Sequence, residues 1–75
     1  MKKKFEYNEI VEIVNSSNPK LKEAINKKGY IAGDAFDENT GKWIYAVFIF
    51  DNEIVYSCDE DNLKSTGEYF QEDEY

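Results

Sequence analysis

The chain has 75 residues, of which 16 are acidic and nine are lysine, and it contains neither arginine nor histidine, so its net charge is −7. This length suits one domain with one small hydrophobic core. An anionic surface repels nucleic acids and anionic lipids, so we expect neither nucleic acid nor a membrane as a partner. A basic protein is the favoured partner.

The remaining composition is typical of a folded domain. Hydrophobic residues make up 41% of the chain and aromatic residues 16%, which supplies large buried areas from few residues. The single cysteine, Cys58, has no partner for an internal disulfide, as suits a reducing compartment. The longest apolar run, residues 44–50, is too short to span a bilayer. We therefore predict a cytoplasmic protein.

The charge is distributed unevenly. Residues 1–30 carry a net charge of +3, whereas residues 51–75 carry −8. We predict a single domain over residues 1–70, followed by an acidic C-terminal tail at residues 71–75. This tail is either a solvated chain end or an electrostatic arm for a basic partner.

The first third of the chain predicts one strand followed by one short helix. β-branched residues dominate residues 10–14, which favours a strand there. Asn18 and Pro19 form a helix start signal, because asparagine caps a helix and proline suits its first position. We expect a helix of about two turns that ends at Gly29 in the left-handed conformation.

Short strands are predicted from residue 30 onward. The strand at residues 30–36 is interrupted by Gly33, where a bulge, a bend or a close backbone approach is expected. Residues 37–41 predict a turn, and residues 43–50 give the strongest strand signal in the chain.

A hairpin is predicted after that strand. Asp51 and Asn52 tolerate positive φ and can form a two-residue loop, after which residues 54–58 return antiparallel. The register then assigns one face to the core, with Tyr45, Val47, Ile49, Ile54, Tyr56 and Cys58. The other face is also apolar, with Ile44, Ala46, Phe48, Phe50 and Val55. The helix, a long loop or a partner must cover this second face, because a half-exposed strand normally alternates with polar residues.

The last part of the chain is more polar. Residues 59–67 predict a single turn of the 3₁₀ type that ends at Gly67, and residues 68–70 predict a last short strand. Taken together, the elements predict a mainly β fold. We expect a small SH3-like barrel of about five strands, with one short helix inserted after the first strand.

No pattern in the sequence predicts catalysis, a cofactor or a metal. Without histidine, neither a Ser-His nor a Cys-His pair can form, and the acidic residues after Cys58 disfavour its thiolate. The acidic runs at residues 34–39 and 59–61 do not have the spacing of a calcium loop. We expect a protein that is not an enzyme.

Large apolar residues beside concentrated negative charge favour a protein-binding surface, since aromatic anchors supply affinity and complementary charge speeds encounter. Phe48 and Phe50 are the candidate anchors, although both could also be ordinary core residues. The candidate acidic contacts are Asp59, Glu60, Asp61, Glu68, Glu72 and Asp73.

From residue 10 onward, three elements occur in an order that resembles the immunity protein 31 family. They are G-x-I-x-G at residues 29–33, Y-A-V at residues 45–47 and E-x-x-L-x-x-T-G at residues 60–67. Members of this family are small bacterial proteins encoded beside polymorphic toxins. The resemblance implies a β-rich, SH3-like domain that binds and neutralises a cognate protein toxin in the cytoplasm of the producing cell.

The resemblance identifies scaffold positions and not the binding surface, because members of the family diverge where they contact the toxin. The acidity of the chain makes a basic toxin the expected partner, for example a nuclease whose substrate the acidic side chains would mimic. We expect a monomer or a weak homodimer. The alternative is an SH3-like adaptor within a larger assembly, and a small regulatory or structural subunit is a third option.

Overall fold

Five antiparallel strands form one sheet in the computed structural model, which describes residues 3–16 and 18–71. The strand order is β4-β3-β2-β1-β5. In chain order the elements are β1 (Glu9–Ile13), helix α1 (Pro19–Lys22), β2 (Lys28–Asp37), β3 (Lys42–Ile49), β4 (Val55–Asp59), a 3₁₀ helix (Glu60–Asn62) and β5 (Leu63–Tyr69). The predicted mainly β fold with a short helix after the first strand is confirmed.

The sheet has two edges, β4 and β5, which do not pair with each other in the part of the chain that the structure describes. Closure into a barrel therefore stays a prediction. Two irregularities bend the strands: the register of β2 shifts between Ile31 and Gly33, and that of β1 against β5 shifts between Ile10 and Val11. The interruption expected at Gly33 is thus a bulge.

The β3–β4 hairpin has the predicted register. The ladder includes Tyr45↔Cys58, Val47↔Tyr56 and Phe48↔Val55. Its loop is longer than predicted, since Ile49 N donates to Ile54 O over 3.0 Å and Glu53 N donates to Ile49 O over 2.9 Å. The loop therefore comprises residues 50–53, and Glu53 takes a positive φ of 57° in it. The predicted pairing of β3 with β4 is unchanged, because the loop is longer than predicted by one residue at each end.

The core lies on one face of the sheet. It consists of Phe5, Val11, Ile13, Leu21, Ala24, Ile31, Tyr45, Val47, Ile49, Tyr56, Cys58 and Leu63. The predicted core face of the hairpin is confirmed except at Ile54, which is 46% exposed. Ile54 was misassigned because it precedes β4, where the chain leaves the loop beside a groove next to α1.

Helix α1 starts as predicted and ends earlier. Asn18 Oδ1 accepts a hydrogen bond from Lys20 N over 3.0 Å, and Pro19 occupies the first helical position. The helix has one turn instead of about two, and Asn26, with a φ of 74°, takes the left-handed conformation that was expected at Gly29. Leu21 and the following Ala24 are buried in the core, so α1 packs on the core side of the sheet.

Gly29 lies inside β2 and is not a helix cap, which corrects the prediction. A Cβ atom at this position would lie 2.1 Å from the main-chain oxygen of Phe48. Glycine is therefore required here because β2 and β3 approach closely, not because the chain turns.

Residues 59–67 are not a single turn, contrary to the prediction. The 3₁₀ helix comprises only Glu60–Asn62, and Leu63–Tyr69 form β5, which also absorbs most of the predicted strand at residues 68–70. This segment is polar because β5 is an edge strand that buries only Leu63. Polarity was therefore a misleading signal against a strand.

Candidate functional site

A row of residues in register crosses the side of the sheet opposite the core, here called the outer face. Strand alternation places Tyr30 and Phe48 there, because their chain neighbours Ile31, Val47 and Ile49 are buried in the core. The row runs from β5 to β4 as Glu68, Ile10, Tyr30, Phe48 and Val55. The second apolar face predicted for the hairpin is thus one part of a face that extends over all five strands.

Four aromatic rings form a cluster on the outer face, here called the aromatic cluster: Tyr30, Phe48, Phe50 and Phe70. Tyr30 and Phe70 are stacked, with ring centroids 4.4 Å apart and an interplanar angle of 5°. Phe48 lies 5.2 Å from Tyr30, and Phe50 lies 5.9 Å from both Tyr30 and Phe70. These spacings are those of mutually attracting aromatic pairs, so the cluster is a continuous apolar surface.

The chain covers this surface only in part. Phe50 is 40% exposed, and Val55, which pairs with Phe48, is 56% exposed, while the other three rings of the cluster are half-buried. Helix α1 lies on the core side, which excludes the helix, one of the three predicted alternatives, as the cover of this face. Single exposed apolar side chains are ordinary, whereas large contiguous apolar patches are typical of interaction sites.

Charged side chains border the aromatic cluster. Glu12 on β1 is in register with Lys28 on β2 and with Lys64 on β5, which forms one charged row next to the aromatic row. Glu68 closes the aromatic row at the β5 edge. An apolar centre with a charged border has the layout of a protein interface.

The predicted acidic contacts Asp59, Glu60 and Asp61, here called the acidic turn, lie where β4 passes into the 3₁₀ helix. Asp61 Oδ2 accepts from Lys42 Nζ over 2.7 Å, and Glu60 Oε1 accepts from Trp43 N over 3.4 Å. Lys42 lowers the pKa of Asp61, and Asp61 in turn raises the pKa of Lys42, chiefly through their hydrogen bond. The acidic turn therefore also holds the start of β3.

The predicted contacts fall into two groups. Phe48 and Phe50 are in the aromatic cluster, and Glu68 lies at the end of the same row. Asp59 pairs with Ile44, which is four residues before Phe48, so the acidic turn is roughly 13 Å along the sheet from the cluster. Glu72 and Asp73 lie outside the described residues.

Two residues of the cluster were missed from the sequence. Tyr30 could have been found, because it directly precedes the apolar Ile31 and alternation then places the two on opposite faces. Phe70 could not have been found, because it follows the end of β5 and is held beside the cluster by a contact with a distant part of the chain. Its main-chain N donates a hydrogen bond to Asn8 O over 2.7 Å. No local pattern encodes that contact.

The single cysteine is not an activated nucleophile. Cys58 is buried, and burial together with the nearby Asp59 raises the pKa of its thiol to about 12. The thiolate is therefore scarce at neutral pH.

Over residues 3–16 and 18–71, no group of three or more cysteine, aspartate or glutamate side chains is arranged to hold a metal ion. Within the same ranges, no helix has the length and apolar character needed to cross a membrane.

Comparisons with models of protein families, with curated proteins and with solved structures found no match to this chain.

Proposed function

We propose that this protein is an immunity protein that binds a cognate bacterial toxin in the cytoplasm and blocks it by covering its surface. The resemblance of residues 29–33, 45–47 and 60–67 to the immunity protein 31 family supports this assignment. The observation that carries it is the aromatic cluster, which is apolar, contiguous, bordered by charge and left partly open. Such a surface suits binding better than catalysis.

The partner in this proposal is a basic protein, of which a nuclease is the leading example. A net charge of −7 attracts a basic surface and accelerates encounter with it. In this proposal the acidic turn, roughly 13 Å along the sheet from the aromatic cluster, occupies a groove of the partner that otherwise binds nucleic acid. The protein acts as a monomer or a weak homodimer. Its bent sheet forms an SH3-like barrel in this proposal, which the register shifts in β2 and between β1 and β5 support.

Co-expression with the product of the neighbouring gene, followed by a growth-rescue assay and a binding titration, tests the function. Phe50→Ser should weaken binding at least about tenfold, as expected for an anchor in an interface centre. Phe36→Ser is the matched control, because Phe36 is also 40% exposed and contacts an aromatic ring, that of Trp43, outside the cluster. Both variants should remain folded by circular dichroism.

Three outcomes are informative. Equal loss of affinity in the two variants would remove the outer face as the binding site, and failure to rescue growth would remove the toxin-neutralising function. Replacing both Glu60 and Asp61 with lysine measures how much the acidic turn contributes to binding of the toxin. If affinity and its dependence on salt stay unchanged in that folded variant, the mimicry of nucleic acid is wrong.

A further inference from the structure

The outer edge of β4 presents main-chain hydrogen-bonding groups. Ile49 N donates to Ile54 O, so the main-chain N–H of Ile49 points from β3 toward the β4 side of the hairpin. Alternation then makes Tyr56 and Cys58, which lie opposite Val47 and Tyr45, the residues of β4 that bond to β3. The N–H and C=O groups of Val55 and Ser57 therefore point away from β3. Within residues 3–16 and 18–71, no strand pairs with this edge.

Two further hydrogen bonds support this alternation, one between β3 and β2 and one at the end of β4. Phe50 N donates to Lys28 O over 3.1 Å, which places the hydrogen bonds of Phe48 toward β2 and not toward β4. Asp59 N donates to Asn62 Oδ1 over 2.9 Å, as expected for a group that points away from β3. The outward direction of the Val55 and Ser57 amides thus follows from three separate bonds.

A groove runs beside this edge. It has a volume of about 530 Å³ and lies between α1 and β4. Its apolar lining includes Leu21, Ile54 and Val55, and its polar lining includes Lys20 and Glu23. A groove next to unpaired main-chain groups can hold the alternate side chains of an added strand.

The two edges of the sheet differ in their protection. β5 carries the charged Lys64 and Glu68, glycine at position 67 with a φ of 83°, and the register shift against β1. Each of these features discourages the addition of another strand. β4 contains no lysine, proline or bulge, and the exposed Val55 lies on it.

The charges at the two ends of β4 favour a basic ligand at this edge. Glu53 precedes the strand, and Asp59 and Glu60 lie at its end. Lys27 pairs with Asp51 and Lys42 pairs with Asp61, whereas no lysine of residues 3–16 or 18–71 lies within ion-pair distance of Glu53, Asp59 or Glu60. Both ends of the open edge are therefore negative.

We propose that β4 receives an extended segment of a basic partner protein as a sixth strand of the sheet. The main chain of that segment bonds to Val55 and Ser57, its alternate apolar side chains enter the groove beside α1, and lysine or arginine at its ends faces Glu53 and Asp59. This inference depends on the proposed function in one respect only, which is that the partner is the toxin. A second copy of this chain is disfavoured, since it would bring two chains of net charge −7 together at a negative edge.

Three synthetic peptides test the edge without requiring the toxin. The first is an alternating valine and threonine strand with lysine at both ends, the second has glutamate at both ends, and the third is the lysine peptide with a central proline. Titrations followed by amide NMR should show the lysine peptide binding at least about tenfold more tightly than the other two. The Val55 and Ser57 amides should shift and become protected from hydrogen exchange in that complex.

Variants at Ser57 provide the matched pair. Ser57→Pro removes the outward N–H without removing a bond to β3, so the variant should lose binding of the lysine peptide at least about tenfold. Ser57→Thr keeps the N–H and should bind within about twofold of the original chain. If Ser57→Pro fails to fold, the three peptides on the unaltered protein still decide the question.

The outcomes separate this inference from the proposed function. Any one of three results would overturn the proposal that β4 receives a basic sixth strand. The first is equal affinity for all three peptides, and the second is a set of NMR shifts confined to the aromatic cluster or to β5. The third is protection of the Val55 amide that depends only on protein concentration. Toxin neutralisation together with any of these results leaves the proposed function standing. Peptide binding at β4 without growth rescue would refute the toxin assignment and keep the strand-binding edge.

Discussion

Gly29 shows how one residue determines the spacing of two strands. It is paired with Ile49, and the space that a side chain would need is filled by the main chain of Phe48. Main-chain atoms cannot rotate away as a flexible side chain can, so any larger residue must separate β2 from β3. These two strands carry Tyr30, Phe48 and Phe50, so Gly29 also sets the geometry of the aromatic cluster.

We predict that Gly29→Ala lowers the free energy of unfolding by about 2–3 kcal/mol, as overpacking a tight site does. Urea denaturation followed by fluorescence measures the change. Gly33→Ala is the control, because its Cβ would lie 3.9 Å from that of Ala46 in ordinary contact, and its effect should stay within about 1 kcal/mol. Similar losses in the two variants would show that strand flexibility, and not the close approach, explains the glycine.

A residue-scale signal can be read from sequence only when its cause is local. The cap at Asn18 was predicted because the side chain bonds to the amide of Lys20, two residues away. The role of Gly29 was mispredicted because its cause is Phe48, which is distant in the chain. Ile54 was mispredicted for a related reason, since its exposure depends on where β4 lies relative to α1.

At the scale of elements, α1 and the turn after it are tied to the hairpin by one tyrosine. The hydroxyl of Tyr56 donates to Glu23 Oε2 over 2.6 Å and accepts from Asn52 Nδ2 over 2.9 Å. The bond to Glu23 is the main reason that the pKa of this phenol is raised. The tie holds α1 beside β4 and so keeps the walls of the groove in place.

We expect Asn18→Ala to lower the free energy of unfolding by about 1 kcal/mol, because the amide of Lys20 loses its capping acceptor. Thermal denaturation by circular dichroism measures this loss. Asn18→Ser retains a capping oxygen and should be nearly neutral. A full loss in the serine variant would mean that packing around position 18, and not capping, stabilises the helix.

The predicted elements were most accurate where both partners of a contact are close in sequence. The β3–β4 register followed from a short loop, and the structure confirms the pairs Tyr45↔Cys58 and Val47↔Tyr56. β5 was misread because it pairs with β1, more than half the chain away, and its polarity reflects its place at an edge. Edge position is a property of the assembled sheet.

At the scale of the whole molecule, the negative charge lies mainly on one part of the sequence and is only partly neutralised. The described residues contain three ion pairs, Lys3–Asp34, Lys27–Asp51 and Lys42–Asp61, all at the surface. The molecule measures 38 × 27 × 18 Å. The Debye length is about 30 Å at 0.01 M salt and about 10 Å at 0.1 M, so the carboxylates repel one another across the whole molecule only at low salt.

We predict that the melting temperature rises when sodium chloride is increased from about 0.01 M to about 0.3 M, because screening relieves repulsion more than it weakens the three ion pairs. Differential scanning calorimetry measures the change. Sodium chloride is preferred to sulfate, which stabilises proteins by exclusion from their surface. A falling melting temperature would show that the ion pairs outweigh the repulsion.

The sequence by itself determined the mainly β character, the hairpin register, the start of α1 and the acidity of the last third, because each depends on composition or on contacts between near neighbours. The tertiary structure decided which apolar face stays open. Phe48 and Phe50 have the same hydrophobic character as the buried Ile49 between them, and the packing of α1 on the opposite side leaves Phe50 exposed and Phe48 half-buried. It also decided that β4 is an unprotected edge, since an edge exists only once all five strands have found their partners.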